Sequence, residues 1–235
     1  MIDDEKVERA RNKMQKILDS SVTANDAVDE QEYVIKGSKV IDLTKIDVSD
    51  IKKRLKEAPY KAVEIDDLRQ FIEELLEQMI NRNQGRIAFS ERYKGIIDRY
   101  NAGGTENEDY YEQLLKLIED LQKEQTRPKL EGLTESELEI YDLLVKGKKL
   151  TKAEEQKVKL AAKNLFNKLE KERKSLLVVD WYKDERTTAM VRNAIIESLD
   201  KDLPESYNKE VFIAKTNLIL SLLIDKFVQG IGIAC

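Results

Sequence analysis

Histidine is absent from the 235-residue chain, and cysteine occurs once, as the final residue, Cys235. Without histidine, the sequence offers no imidazole for general acid–base catalysis, for a catalytic triad or for binding a metal ion. A single thiol cannot form an intramolecular disulfide, which favours a reducing compartment. Histidine-dependent hydrolase chemistry and thiolate metal cages are therefore excluded.

Glycine and proline are also scarce, with 9 and 3 residues. So few turn-forming residues cannot supply the loops of a many-stranded β fold, and the apolar–polar alternation of half-buried strands is rare. Charged residues make up 37% of the chain, a proportion typical of helices with long solvent-exposed faces. The sequence predicts an all-α fold, an irregular multi-helix bundle.

Long apolar segments are missing as well. No apolar stretch of the kind found in a secretory signal follows Met1, and the most apolar stretch, Leu218–Ile224, is much shorter than a membrane span. The last predicted helix, Glu210–Gln229, contains this stretch and is apolar on nearly every side. We expect this helix to lie at the centre of the bundle, covered by its neighbours, in a cytoplasmic protein.

Apolar residues recur at helical spacing in most of the chain. Two segments begin with a capping box, in which Thr134 pairs with Glu137 and Thr151 pairs with Glu154. Ser206 is the expected N-cap of the last helix, and Pro128 and Gly132 are expected to mark a break. The other predicted helices are Asp4–Ser20, Val48–Ala58, Ile65–Asn83, Ile87–Tyr100, Asn107–Thr126, Glu185–Leu199 and Glu210–Gln229.

A non-helical element is expected near residues 33–43. Val34–Ile35 and Val40–Ile41 flank a turn signal at Gly37–Ser38, which is typical of a short hairpin or an extended strap. We therefore divide the chain into an N-terminal helix and strap, residues 1–60, and a helical bundle, residues 61–235.

Charge is distributed unevenly. Residues 102–142 carry 12 acidic and 4 basic side chains, whereas residues 145–174 carry 11 basic and 4 acidic ones. The two segments could pair with each other or face water; alternatively, the basic segment forms a ridge that contacts DNA phosphates or an acidic partner. The candidate DNA-contacting residues are Lys148, Lys149, Lys152, Lys159 and Lys163.

Trp181 is the only tryptophan, and it precedes a predicted helix that carries Arg186 and Arg192. It is either a core anchor or, together with the two arginines, a partner-binding hot spot, because Trp and Arg dominate such sites. Both interpretations stay open at this point.

Motifs for nucleotide, metal and nuclease chemistry are not found. The sequence has no P-loop, no glycine-rich dinucleotide fingerprint and no cysteine pair. The nearest nuclease-like group, Glu172 with Lys174 and Asp180, falls at a predicted helix end, where a solvated terminus is the ordinary explanation. We predict no catalytic residue, no metal ligand and no cofactor in this chain.

Four sequence segments follow one another from the middle of the chain towards its end. They are FSERYKGIIDRYN (89–101), EGLTESELEIYDLL (131–144), VVDWYKDERTTAMVRNAI (178–195) and LPESYNKEVF (203–212). Together they resemble the C-terminal helical region of the R subunit of type I restriction enzymes. The resemblance covers roughly residues 21–228.

The resemblance implies that the chain corresponds to the C-terminal part of a larger subunit of a bacterial restriction–modification system. In that family, a nuclease domain and two motor domains precede this region, so ATP and magnesium would serve the rest of the subunit. The expected partners are the modification and specificity subunits, with DNA reached through the parent complex. We expect a non-enzymatic docking module, and the alternative is an accessory DNA-contacting domain that uses residues 146–174.

Overall fold

The structure is a computed structural model that describes residues 22–24, 39–57, 61–104 and 107–230. Within these ranges the fold is an all-α multi-helix bundle with one short two-stranded sheet, β1 (Val22–Ala24) and β2 (Lys39–Ile41). The longer helices are α1 (Val48–Glu57), α2 (Lys61–Arg82), α3 (Ile87–Asn101), α4 (Asn107–Glu131), α5 (Glu135–Val145), α6 (Lys152–Lys171), α7 (Glu185–Asp202) and α8 (Lys209–Val228). The predicted helix Asp4–Ser20 lies outside the described residues.

Extended structure occurs where the sequence predicts it, with a different partner strand. β2 falls within the predicted range and pairs antiparallel with β1, so that Val22 lies opposite Ile41. The sequence favours Val34–Ile35 as the partner, and those residues lie outside the described part of the chain.

The chain forms two compact units, and the boundary between them lies between Arg127 and Pro128. The predicted division at residue 60 is not observed. Ile41, Leu43 and Leu55, all predicted to lie before the boundary, belong to the same hydrophobic core as α2 and α4. We call the described residues up to Arg127 the N-terminal unit and those from Pro128 the C-terminal unit.

Both predicted capping boxes are confirmed. Thr134 Oγ1 accepts from the N–H of Glu137 at 3.3 Å, while the Glu137 carboxylate accepts from the N–H of Thr134 at 2.8 Å. Thr151 and Glu154 form the same reciprocal pair at the start of α6. These bonds satisfy N–H groups that the first turn of a helix leaves without a partner.

Two helix ends differ from the sequence prediction. The N-cap of α8 is Asn208, whose side chain accepts from the N–H of Val211 at 2.9 Å, rather than Ser206. Helix α4 continues through Pro128 and ends before Gly132, whose φ of 65° supplies the left-handed conformation of a C-terminal cap. Proline removes one backbone donor, and the neighbouring hydrogen bonds of the helix are enough to carry it past that point.

In the N-terminal unit, the backbone of residues 41–46 is hydrogen-bonded to glutamine side chains of α2 and α4. From here on, the strap means residues 41–46. Gln122 Nε2 donates to the carbonyls of Leu43 at 2.8 Å and Ile46 at 2.9 Å. Gln125 accepts from the N–H of Leu43 at 2.7 Å and donates to the Ile41 carbonyl at 2.7 Å. The two glutamines thus provide the donors and acceptors that a neighbouring strand would otherwise supply.

The C-terminal unit packs α5, α6, α7 and α8 around one apolar core. Ile219, Leu220 and Leu223 of α8 point into that core, as expected for an apolar terminal helix. The cover is incomplete, because Ile213 is 47% exposed and Leu218 is 43% exposed on the outer side of α8.

Two buried lysines of α8, Lys215 and Lys226, bind α8 to α5. Lys215 Nζ donates to the carbonyls of Leu143 and Lys146, both at 2.6 Å, at the C-terminal end of α5. Lys226 forms a buried ion pair with Glu139 at 2.5 Å. Burial, followed by nearby lysine charges, lowers the pKa of Lys215.

We predict that Gln122→Leu lowers the free energy of unfolding by about 1–3 kcal/mol, because two strap carbonyls lose their donor. Urea denaturation measures this loss. Gln70→Leu is the matched control, since Gln70 is exposed and bonds to Glu74 on its own helix. Equal stability of the two variants would contradict the role assigned to Gln122.

Candidate functional site

The predicted basic ridge divides into lysines with an internal partner and lysines that face solvent. Lys148 Nζ donates to the Ser206 carbonyl at 2.6 Å and lies 4.8 Å from the centroid of the Tyr207 ring. Lys159 forms an ion pair with Glu131, which raises the pKa of the lysine. These two residues therefore stabilise the C-terminal unit itself.

The other three candidates of the ridge lie towards solvent. Lys149 and Lys152 are exposed and Lys163 is half-buried. None of the three is paired with a carboxylate in the described part of the chain. The structure therefore separates the five candidates into two groups that sequence could not distinguish.

The solvent side of α6, which we call the outer face, has no acidic residue among its fully exposed side chains. Its fully exposed residues are Lys152, Ala153, Gln156, Lys157, Leu160, Asn164, Asn167 and Lys171. Half-buried Lys163 lies at one edge of this face. Leu160, at 53% exposure, is its one large apolar residue.

Trp181 lies in the core of the C-terminal unit, with only 1% of its surface exposed. Its ring stands edge-on to the ring of Phe227, with a centroid separation of 5.7 Å. Of the two interpretations left open by the sequence, the structure favours the core anchor, because a side chain this buried cannot touch a partner.

A tight turn immediately before Trp181 exposes two valines, and we call residues Val178–Trp181 the valine turn. The Trp181 N–H donates to the Val178 carbonyl at 3.0 Å, and Asp180 has a left-handed backbone with φ of 57°. Val179 is 93% exposed and Val178 is 39% exposed. The turn therefore presents apolar side chains on a backbone conformation that β-carbon sterics disfavour.

Helix α7 holds the valine turn in place. Its N-cap, Asp184, accepts from the N–H of Thr187 at 2.9 Å, and Thr187 Oγ1 donates to the Trp181 carbonyl at 2.6 Å. This contact sets the first turn of α7, including exposed Arg186, against the valine turn. A rigid, buried anchor thus supports a small exposed surface of apolar and cationic groups.

The two candidate arginines have different surroundings. Arg192 is exposed, and its Nη1 donates to Asn217 Oδ1 on α8 at 2.6 Å. Arg186 is in the first turn of α7, five residues after Trp181, whereas Arg192 is at the junction of α7 and α8. Sequence grouped Trp181, Arg186 and Arg192 together; in the structure only Arg186 is in the helical turn that Thr187 joins to the valine turn.

Glu154, in the capping box of α6, has an unusual carboxyl group. A hydrogen bond from the Ser206 hydroxyl, followed by those from Thr151, lowers its pKa to about 2. Its neighbour Lys148 adds a smaller favourable charge.

A metal site and a membrane span are two further possibilities for the described residues. Across the described ranges, no group of three acidic or cysteine side chains comes together in a way that could hold a metal ion. In that same part of the chain, no helix combines the length and the apolar character that a membrane span requires.

Comparison with known proteins agrees with the predicted resemblance. A family described as "Type I restriction enzyme HindI endonuclease subunit-like, C-terminal" matches residues 2–221. A putative type I restriction enzyme MjaIXP endonuclease subunit from Methanocaldococcus jannaschii is 25% identical over 199 residues, which are 84% of this chain and 18% of that protein. The chain thus spans less than a fifth of that relative's length. No solved structure matches the chain.

Replacing the core tryptophan tests its role as an anchor. We expect Trp181→Ala to lower the free energy of unfolding by about 3–5 kcal/mol, because it leaves a large cavity. Chemical denaturation followed by circular dichroism gives the value. Val179→Ala, a change two residues away at an exposed site, is the control and is expected to leave stability unchanged; an equally stable Trp181→Ala would refute the anchor role.

The Glu154 carboxyl provides a pH-dependent test. Because its pKa is lowered, its contribution to stability is present above the ordinary value near 4.5 and is lost as pH falls through about 2. A carbon-13 NMR titration is expected to give a midpoint of about 2 for Glu154, and Ser206→Ala is expected to raise it. Ser175→Ala, an exposed serine bonded elsewhere, serves as the control. An ordinary midpoint in the unmodified chain would rule out the Ser206 bond.

Proposed function

We propose a docking function for this chain, which belongs to the family of C-terminal domains of HindI-like type I restriction enzyme endonuclease subunits. The family places the chain in an endonuclease subunit, and such a subunit works within a restriction complex of several subunits. The docking module joins the endonuclease subunit to the modification and specificity subunits. ATP-dependent cleavage of DNA belongs, in this proposal, to the parent assembly and not to this chain.

The valine turn is the observation that carries the proposal. Single exposed apolar side chains are common on protein surfaces. Here two adjacent exposed valines belong to a turn that ends in a buried tryptophan, and Thr187 bonds to the carbonyl of that tryptophan. Pre-organisation of this kind reduces the entropy lost when a surface binds its partner. A rigid apolar tip is therefore well suited to insertion into a pocket on another subunit.

Arg186 gives the same surface a cationic group beside the apolar tip. Arginine is over-represented in interface hot spots because its guanidinium donates several hydrogen bonds and also packs against apolar surface. Its exposed position in the first turn of α7 leaves it available to a carboxylate or carbonyl of the partner.

The docking surface is tested by removing its apolar tip. We expect the double variant Val178→Ser/Val179→Ser to weaken binding to the purified modification–specificity complex by at least about tenfold, as truncation of a hot spot does. Isothermal titration calorimetry with the parent endonuclease subunit measures the affinity. Arg186→Glu is expected to reduce the affinity further.

Leu130→Ser is the matched control, because Leu130 is 81% exposed and lies on a different helix. Thermal melting of all variants checks that each one is folded. Full affinity in the double valine variant would reject the valine turn as the docking surface. Full affinity of a parent subunit that lacks this chain altogether would reject the docking function.

A further inference from the structure

The outer face of α6 has a charge pattern that docking through the valine turn does not use. Its fully exposed charged residues are all lysines, although α6 also contains three glutamates. Glu154, Glu155 and Glu170 are half-buried, and Glu170, which is on the same side of the helix as Lys163, is paired with Arg173 at 3.5 Å. The segregation produces a cationic surface on a chain whose net charge is −5.

Carboxylates at the edges of the face are already engaged. Lys168 Nζ bonds to Glu197 at 2.7 Å, and Asn164 Nδ2 donates to Asp202 at 2.8 Å. Glu131 is paired with Lys159 on the other side. Among the described residues no ion pair involves Lys152, Lys157, Lys163 or Lys171, so their charge is available to an external anion.

We infer that the outer face of α6 binds the phosphate backbone of double-stranded DNA. This inference goes beyond the docking function and does not depend on the valine turn. It assigns the contact to Lys152, Lys157, Lys163 and Lys171, and it excludes Lys148 and Lys159, whose ammonium groups are held by internal partners.

The dimensions of the face suit a duplex. A helix rises about 1.5 Å per residue, so the distance along α6 from Lys152 to Lys171 is about 28 Å. At about 3.4 Å per base pair, this length corresponds to roughly eight base pairs of duplex. Lys157, Lys163 and Lys171 are spaced by about 9 and 12 Å along the helix axis, within reach of successive phosphates for flexible side chains.

Composition favours phosphates over other acidic partners. Gln156 and Asn167 add neutral amide donors, which together with lysine are typical contacts to phosphate oxygens. A protein partner would require an apolar centre, and Leu160 is the one large apolar residue on the face. Bases of a single strand would require aromatic platforms, and no exposed residue of α6 is aromatic.

Fluorescence anisotropy with a labelled 30-base-pair duplex of arbitrary sequence tests the inference on the chain itself. Four phosphate contacts predict that log K falls against log salt with a slope of about −3 to −4. Binding is therefore expected to weaken roughly 100-fold between about 50 and 200 mM salt. The triple variant Lys157→Gln/Lys163→Gln/Lys171→Gln is expected to reduce the slope to about −1.

A second triple variant, Lys53→Gln/Lys56→Gln/Lys116→Gln, removes the same charge from exposed lysines of the N-terminal unit. It is expected to keep the slope of the unmodified chain. Equal losses in the two variants would reduce the effect to net charge and overturn the inference. So would the absence of binding at about 50 mM salt, or binding of polyglutamate as tightly as duplex.

The DNA inference and the docking proposal can fail separately. The lysine variant is expected to bind the modification–specificity complex normally, and the valine variant is expected to bind DNA normally. Loss of both activities in either variant, with melting unchanged, would show that one surface serves both partners and would overturn the separate assignment.

Discussion

The contact of α8 with α5 through two buried lysines is the constraint on which the C-terminal unit depends. A helix that is apolar on nearly every side can pack in many rotations and registers, because dispersion and burial favour all of them about equally. Lys215 and Lys226 lie three turns apart on the same side of α8, and each has a fixed partner on α5. A buried ion pair adds little net stability, because the cost of desolvation offsets the attraction. We interpret the two lysines as determinants of register.

That register sets the surfaces of the unit. With α8 fixed, Phe227 meets Trp181, and Trp181 in turn supports the turn that exposes Val178 and Val179. Helix α6 takes part in a different set of contacts, in which Lys159, Lys168 and Asn164 are bonded to Glu131, Glu197 and Asp202. One core thus positions two chemically distinct surfaces, an apolar tip and a cationic face.

Local signals in the sequence predict some helix ends correctly and others not: both capping boxes are found, whereas Ser206 is not the N-cap of α8 and Pro128 does not end α4. The two capping boxes and the glycine that ends α4 act within a few residues, so Thr134, Thr151 and Gly132 could be identified from sequence. The boundary between the two units, inside α4, could not be identified from sequence. Pro128 suggests a helix end, and only the packing of the strap shows where one core ends and the other begins. Trp181 and Lys215 illustrate the same limit for the site: burial decides whether each residue faces a partner or the interior, and a single sequence does not reveal burial.

The glutamine contacts of the strap have a consequence for local opening. The backbone N–H groups of Ile41 and Leu43 donate to side chains of α2 and α4, Gln78 and Gln125. Their protection from hydrogen exchange therefore depends on the folding of two helices that are distant in sequence. Fraying of either helix would expose the strap at once, which makes these amides sensitive reporters of cooperative unfolding in the N-terminal unit.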